Sequence, residues 1–115
     1  MREETRKILS LPDLPVFATA VRIPVHTGHA ESVYVETGRQ VALHEVLETL
    51  GTAQGVEVTD DFPTPLEIAG EEGTYVGRVR VEGNVIQYWC VADNLLKGAA
   101  TNAVQIAESL VGARV

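Results

Sequence analysis

The chain has 115 residues, the length of one folded domain, and this length excludes an arrangement of several domains. Apolar residues make up 45% and charged residues 22%, proportions typical of soluble globular proteins and not of disordered ones. The formal net charge of −7 argues against nucleic acids and anionic membrane surfaces as partners, because binding to both depends on a basic surface.

The N-terminal residues 1–7 are too polar and too acidic for a signal peptide, and no apolar run is long enough to cross a bilayer. The single cysteine, Cys90, excludes an internal disulfide and a multi-cysteine zinc site. We therefore expect a cytoplasmic protein with a compact fold and a hydrophobic core that needs no covalent or metal cross-link.

The first third of the chain predicts the end of a helix and then two strands. Residues 2–9 favour a helix, which the prolines after it terminate. Residues 16–25 are rich in β-branched side chains and predict a largely buried strand, in which Arg22 is the one charge. Residues 32–37 alternate in polarity and predict a second strand.

The middle of the chain predicts a helix, a short strand and a loop. Apolar residues recur at i, i+3, i+4 and i+7 from Leu43 to Leu50, which predicts an amphipathic helix that stops at Gly51. Residues 56–59 predict a short strand. Residues 60–73, with two prolines, predict a long polar loop with about one helical turn, and loops of this length often carry function.

The last third predicts a hairpin and a final helix. Residues 75–81 and 85–91 predict two antiparallel strands around a short turn at 82–84. Either Asp93 or Asn94 is suited to cap a helix whose apolar face consists mostly of alanine. The order of elements predicts an α+β (mixed α/β) fold, in which helices cover one face of a mixed sheet.

Residues 20–32 form the strongest candidate site, because they combine Arg22, two histidines and Glu31. A guanidinium inside an apolar strand costs several kcal/mol unless an anion meets it, and a bidentate partner returns roughly 1.5–3 kcal/mol. That anion is either an internal carboxylate or a ligand. The internal candidates are Glu31, Glu36 and Asp93.

The histidines of this segment leave several interpretations open. His29 is either a structural residue or a general acid and base, the commonest catalytic use of an imidazole. His26 and His44 are expected to be ordinary structural residues. A fully extended chain would separate Arg22 and His29 by roughly 23 Å, so a shared small ligand requires a bend between them. We expect that bend at Pro24 and Gly28.

A second candidate site is residues 92–100, where a strand gives way to a helix. The amides at a helix start suit an anion or a carboxamide, although capping alone explains Asp93 and Asn94. Cys90 lies inside a strand, where a buried thiol is normally an inert packing residue.

Five segments in similar order and spacing resemble one known family. They are 22–25 with 29–32, 61–66, 76–78, 92–100 and 102–108. Together they resemble the C-terminal part of bacterial aspartate-semialdehyde dehydrogenase over nearly the whole chain. The resemblance implies a homodimer or higher homo-oligomer formed through the other face of the sheet. It also implies NADP-dependent reduction of L-aspartyl 4-phosphate to L-aspartate 4-semialdehyde, on the route to lysine, methionine and threonine.

The resemblance also implies roles for three residues. Arg22 corresponds to the arginine that binds the substrate carboxylate, His29 to the acid/base histidine, and Asn94 to a polar residue that touches the cofactor. Cys90 does not match the family's nucleophilic cysteine, and the chain has no glycine-rich dinucleotide-binding turn. The family pattern therefore divides the chain into a substrate-binding and dimerisation domain at 1–92 and a C-terminal helix at 93–115, with the NADP-binding domain and nucleophile outside it. We expect this chain alone to be inactive.

Two other functions remain open at this stage. One is a non-catalytic module for dimerisation or regulation, which would use an exposed sheet face and the alanine-rich last helix. The other is a small metal-dependent hydrolase that uses His26, His29 and Glu31, although their spacing matches no established ligand motif.

Overall fold

A four-stranded mixed sheet organises the chain in the computed structural model, which describes residues 1–112. The elements in chain order are α1 (Arg2–Leu9), β1 (His29–Glu36), α2 (Leu43–Gly51), β2 (Val56–Val58), β3 (Thr74–Glu82), β4 (Val85–Ala92), a π-helical segment (Leu96–Ala100) and α3 (Thr101–Val111). The predicted mixed α/β fold is confirmed.

The strands lie in the order β1-β4-β3-β2. The antiparallel hairpin of β3 and β4 is confirmed, and its turn contains Gly83 at φ 62°, a conformation that favours glycine. On its other side β4 pairs antiparallel with β1, whereas β2 pairs parallel with β3. Because β4 is central, its C-terminal end lies between the first residues of β1 and β3.

Helix α2 forms where the apolar periodicity predicts it and lies against β2 and β3. The Glu45 carboxylate accepts the Ala42 amide at 2.8 Å and thereby satisfies a donor at the start of the helix. That amide and the Arg39 guanidinium lower the pKa of Glu45. Val46 points inward and is buried, so the helix uses its apolar stripe to cover the sheet.

The prediction of a buried strand over residues 16–25 is wrong for this chain. The segment contains no strand, and it pairs with no strand among residues 1–112. Arg22 is exposed, and so are Phe17, Val21 and Ile23. The composition of the segment favours a strand, but a strand also needs a neighbouring strand, which composition alone cannot supply.

The hydrophobic core is thinner than expected. The buried aliphatic side chains of the described chain are those of Val46, Ile68, Val76 and Val91, and the loop residues Pro63 and Pro65 are buried beside them. The chain exposes 8719 Å², whereas a compact monomer of 12.4 kDa exposes about 6,100 Å². The excess of about 2,600 Å² is as large as one partner's share of an extensive obligate interface. An exposed surface of this size is typical of a domain that packs against another polypeptide.

The two terminal helices contribute little to the core, and α1 is attached by a few polar contacts. The side chains of Arg2 and Arg6 in α1 donate to the carbonyls of Val16 and Leu14. Helix α3 continues the π-helical segment and has no buried residue. Residues 113–115, the end of the predicted unit 93–115, lie outside the described residues. Among residues 1–112, no helix is both long enough and apolar enough to span a bilayer.

Candidate functional site

His29 is the first residue of β1, three residues earlier than the predicted start of that strand. In the sheet register it lies beside Ala92, the last residue of β4, and Ala92 in turn lies beside Thr74, the first residue of β3. The His29 side chain is exposed. The imidazole is therefore presented at the end of the sheet where β4 leads into the last helix.

Gly28 joins the two candidate segments of the sequence. Its amide donates to the Asn94 side-chain oxygen at 2.6 Å, across 66 positions of the chain. Gly28 has φ 102°, and a Cβ atom added to it would lie 2.7 Å from Pro65 Cβ. A larger residue would thus be strained in its backbone and would collide with the 60–73 loop. Because Gly28 is held in place, the backbone position of the next residue, His29, is fixed as well.

Asp93 follows β4 and connects the end of that strand to the start of the last helical region and to the 60–73 loop. Its carboxylate is 3% exposed and accepts the amides of Leu95 at 2.7 Å, Leu96 at 3.2 Å and Gly70 at 2.9 Å. Of the two predicted capping residues, Asp93 therefore caps the helix, and Asn94 bonds Gly28 instead. The three amides lower the pKa of Asp93, because they stabilise its charged form.

This carboxylate gives the first prediction. Because the folded-state pKa of Asp93 is lowered, the stability that it contributes is present above about pH 4 and is lost as the pH falls through the folded-state value. Asp93→Asn should lower the Tm at pH 7 by about 5 °C, and the difference from the parent chain should shrink at pH 3. Thermal melts followed by circular dichroism measure both quantities.

The matched control is Asp60→Asn, since Asp60 is an exposed residue at the start of the 60–73 loop and accepts no hydrogen bond among the described residues. The control should melt like the parent at both pH values. An Asp93→Asn chain that melts like the parent at pH 7 would contradict the stabilising role of this carboxylate.

Aromatic packing holds the 60–73 loop on the sheet. The Trp89 indole donates to the Pro63 carbonyl at 2.8 Å, and its ring stacks on Phe62 with centroids 4.9 Å apart. The Arg78 guanidinium lies 5.9 Å from the Phe62 centroid, within the range of a cation–π contact. Gly77 allows this close approach, because a Cβ atom there would overlap the Asp61 carbonyl. These contacts hold the loop against β3 and β4, the two strands that lead to and from the site.

Arg22 and His26 lie on the irregular segment that leads to Gly28. The backbone bends at Pro24, as predicted, and at His26–Thr27, whereas Gly28, the other position predicted for the bend, is not itself bent. The predicted burial of Arg22 is wrong, and its guanidinium forms no ion pair with any carboxylate of residues 1–112. The internal partners considered for it, Glu31, Glu36 and Asp93, are therefore not used in this chain.

Cys90 is half-buried in β4, and its surroundings favour the thiol. Burial and the nearby Glu31 carboxylate raise its pKa to about 11, so little thiolate is present near neutral pH. This agrees with a packing role. Alkylation by iodoacetamide at pH 8 should be roughly 10- to 100-fold slower in the folded chain than in urea, after allowing for the greater nucleophilicity of a more basic thiolate. Equal rates in the two conditions would contradict this assignment.

The residues proposed for a metal do not assemble. Within the described part of the chain, no group of three or more His, Cys, Asp and Glu residues is arranged to hold a metal ion. The hydrolase interpretation through His26, His29 and Glu31 thus has no geometry to support it.

Sequence reasoning missed the residues that connect the site. Pro65 and Trp89 were not singled out, and Gly28 was assigned only a bend. One signal was available for Gly28, since a glycine directly before a polar strand often marks a close backbone approach. The Trp89–Pro63 hydrogen bond, by contrast, joins residues 26 positions apart and has no local signature.

Comparison with known families matches residues 1–97 to the family described as "Semialdehyde dehydrogenase, dimerisation domain". The aspartate-semialdehyde dehydrogenase of Bacillus subtilis is 47% identical over 119 residues, which cover 96% of this chain and 34% of that protein. Aspartate-semialdehyde dehydrogenase 2 of Vibrio cholerae is 47% identical over 114 residues, which cover 94% of this chain and 34% of that protein.

Solved structures show the same likeness. The crystal structure of aspartate semialdehyde dehydrogenase II from Vibrio cholerae, complexed with ASA, has a TM-score of 0.85 at 46% identity and covers 97% of this chain and 35% of that one. A probable aspartate-semialdehyde dehydrogenase from Pseudomonas aeruginosa has a TM-score of 0.68 at 38% identity and covers 76% of this chain and 28% of that one. The chain thus spans about a third of the length of the curated relatives it matches.

Proposed function

Since the chain belongs to the family of semialdehyde dehydrogenase dimerisation domains, we propose that it is the substrate-binding and dimerisation part of an aspartate-semialdehyde dehydrogenase. The reaction is the NADPH-dependent reductive dephosphorylation of L-aspartyl 4-phosphate to L-aspartate 4-semialdehyde. The observation that carries the proposal is the 2.6 Å hydrogen bond between Gly28 and Asn94, because it joins the His29 segment to the helix start. Names of relatives at 47% identity support the choice of substrate.

His29 is the proposed proton-transfer residue. Its imidazole is exposed at the end of the sheet, and imidazoles exchange protons readily near neutral pH. The Gly28 hydrogen bond and the Pro65 contact fix the backbone immediately before it. A group held in this way keeps its orientation when substrate binds, which general acid–base catalysis requires.

Arg22 is the proposed anchor for the substrate carboxylate. Because no carboxylate among residues 1–112 pairs with its guanidinium, the planar fork of donors is open to a bidentate anion. The bend at Pro24 and at His26–Thr27 turns the chain between Arg22 and His29. The two side chains are thereby proposed to address opposite ends of one small substrate.

Asn94 suits the proposed contact with NADP. Its side-chain oxygen accepts the Gly28 amide, while its NH₂ group donates to no other described residue and is available to a polar edge of a cofactor. NADPH supplies the hydride in this reaction. Most of the cofactor site and the nucleophile are proposed to lie in other parts of a longer polypeptide, because Cys90 has the wrong protonation state for a nucleophile.

The test is an assay of the longer polypeptide that contains this chain, purified and supplied with L-aspartyl 4-phosphate and NADPH. We expect oxidation of NADPH and release of phosphate, and no turnover by the 115-residue chain alone. Failure of the longer polypeptide to use this substrate would overturn the proposal, as would turnover by the 115-residue chain without another polypeptide.

A non-catalytic association module is a second candidate, and the excess of about 2,600 Å² of exposed surface favours it. Sedimentation of the longer polypeptide distinguishes the two functions when it is combined with the assay. Stable self-association without turnover supports the association module alone, whereas turnover by the assembled protein supports the enzyme.

A further inference from the structure

The 60–73 loop is anchored to β4 near both of its ends. Near its start, the Pro63 carbonyl accepts the Trp89 indole N–H at 2.8 Å, and near its end the Gly70 amide donates to the Asp93 carboxylate at 2.9 Å. Trp89 lies inside β4, and Asp93 directly follows that strand. Loops held only at their termini are mobile, whereas these two hydrogen bonds bind this loop to the central strand of the sheet.

A stiff turn joins the anchored Pro63 to Pro65. The Glu67 carboxylate accepts the Thr64 amide at 2.9 Å and the Thr64 hydroxyl at 2.7 Å, and the Ile68 amide donates to the Thr64 carbonyl at 3.2 Å. The two proline rings restrict the backbone further, because each ring fixes φ. Both prolines are buried, whereas Glu67 is exposed. The position of Pro65 therefore follows from that of Pro63, two residues before it.

Pro65 is the loop residue that meets the backbone directly before His29. A Cβ atom added to Gly28 would lie 2.7 Å from Pro65 Cβ and 3.1 Å from its Cα, so no space is left between the two residues. The Gly28 amide also donates to the Asn94 side chain. Gly28 is thus held by the loop and by the helix start together, and a displacement of Pro65 would shift His29.

We propose that Trp89 is a positioning residue for His29 and acts through Pro63 and Pro65. This inference rests on the proposed function, under which His29 transfers the proton. Trp89 lies three positions before Ala92, the residue of β4 that lies beside His29. The one polar hydrogen of the indole is donated to Pro63, so Trp89 offers no polar atom to a substrate. Its effect on the reaction therefore passes through the loop.

The sheet is distorted where it receives the loop. The register of β3 and β4 shifts between Gly77 and Arg80, and Arg78 inside this irregularity has φ 56°. A left-handed backbone is strained for a residue with a side chain, and such strain clusters at functional sites, where the surroundings stabilise it. Here the Arg78 guanidinium lies over the Phe62 ring, which stacks on Trp89. The strained residue thus belongs to the contact that holds the loop.

A double-mutant cycle in the longer polypeptide tests the proposal. Trp89→Phe keeps an aromatic ring but removes the donor to Pro63, and we expect kcat to fall by roughly 10- to 100-fold with little change in KM for the substrate. In the His29→Gln background the same substitution should have almost no further effect on kcat, because its effect passes through the imidazole. An equal fold loss in both backgrounds would overturn the proposal, since a purely structural role would lower both.

Tyr88→Phe is the matched control. It removes a hydroxyl from the neighbouring aromatic residue of β4, and this hydroxyl bonds no other residue among those described, so kcat should stay at the parent value. If Trp89→Phe does not fold, Glu67→Ala loosens the same turn from its exposed side and should lower kcat in the same way. Its control is Glu72→Ala, at an exposed loop residue that accepts no hydrogen bond among residues 1–112. Equal kcat values in the two glutamate variants would contradict the proposal.

Hydrogen exchange at the Gly28 amide, measured without substrate, separates this inference from the proposed function. In Trp89→Phe we expect this exchange to be faster by on the order of 10-fold, because movement of Pro65 opens the bond to Asn94. An unchanged exchange rate would overturn the positioning role whether or not the polypeptide is active. Faster exchange in a polypeptide without dehydrogenase activity would refute the proposed function and support the positioning of the His29 backbone.

Discussion

Replacing His29 with Gln in the longer polypeptide is expected to lower kcat by about 10²- to 10⁴-fold, the usual contribution of a positioned acid and base. The substitution keeps a polar side chain at the exposed start of β1, so folding should be unaffected. Steady-state kinetics across the pH range provide the measurement.

Two other histidines supply the controls for this experiment. His44 lies on the exposed side of α2, and His44→Gln should leave kcat unchanged. His26 lies at the bend, and no role is assigned to it. His26→Gln therefore shows whether the loss of kcat is specific to His29 or follows from replacing either histidine of this segment. A larger loss of kcat in His26→Gln than in His29→Gln would move the acid/base role to His26.

Replacing Arg22 with Gln is expected to raise KM for the substrate by roughly 10- to 100-fold, with little change in KM for NADPH. The physical reason is the loss of a charge-assisted bidentate contact to a carboxylate. Arg22→Lys should restore part of the affinity, because it keeps the charge but not the fork of donors. Steady-state kinetics with each substrate varied in turn separate the two KM values.

The Tm of the 115-residue chain distinguishes a ligand contact from a structural one. Arg22 pairs with no carboxylate of the described residues, so Arg22→Gln should leave the Tm within about a degree of the parent. Arg39→Gln is the matched control, because Arg39 follows the opposite end of β1 from His29 and pairs there with Glu45, and it should leave substrate KM unchanged. A lowered Tm with an unchanged KM in Arg22→Gln would assign Arg22 a structural role.

Elements with a local period were predictable from the sequence. The stripe from Leu43 to Leu50 and the hairpin around Gly83 each depend on neighbours within a few positions, and both formed where they were expected. The capping function of Asp93 is local in the same sense, since its carboxylate accepts the amides of Leu95 and Leu96, two and three positions further along the chain. Propensity and periodicity describe such short-range effects well.

Contacts across the chain were not predictable in this way. That Asn94 bonds Gly28, and not its own helix, depends on how β1 and β4 pair, which brings together positions 66 residues apart. The error over residues 16–25 has a related cause. Their pattern indicates an extended, apolar strand, but burial depends on whether another strand is present beside it, and none is present among residues 1–112.

The sequence by itself therefore determined the type and order of the elements, the family resemblance and the identity of the candidate residues, because these depend on side-chain chemistry and short-range periodicity. Only the tertiary structure decided that Gly28, the residue before His29, bonds Asn94 at one end of the sheet, that Arg22 is exposed, and that burial raises the pKa of Cys90. The physical reason is that burial, strand register and the pKa of a thiol are set by neighbours that are distant in sequence.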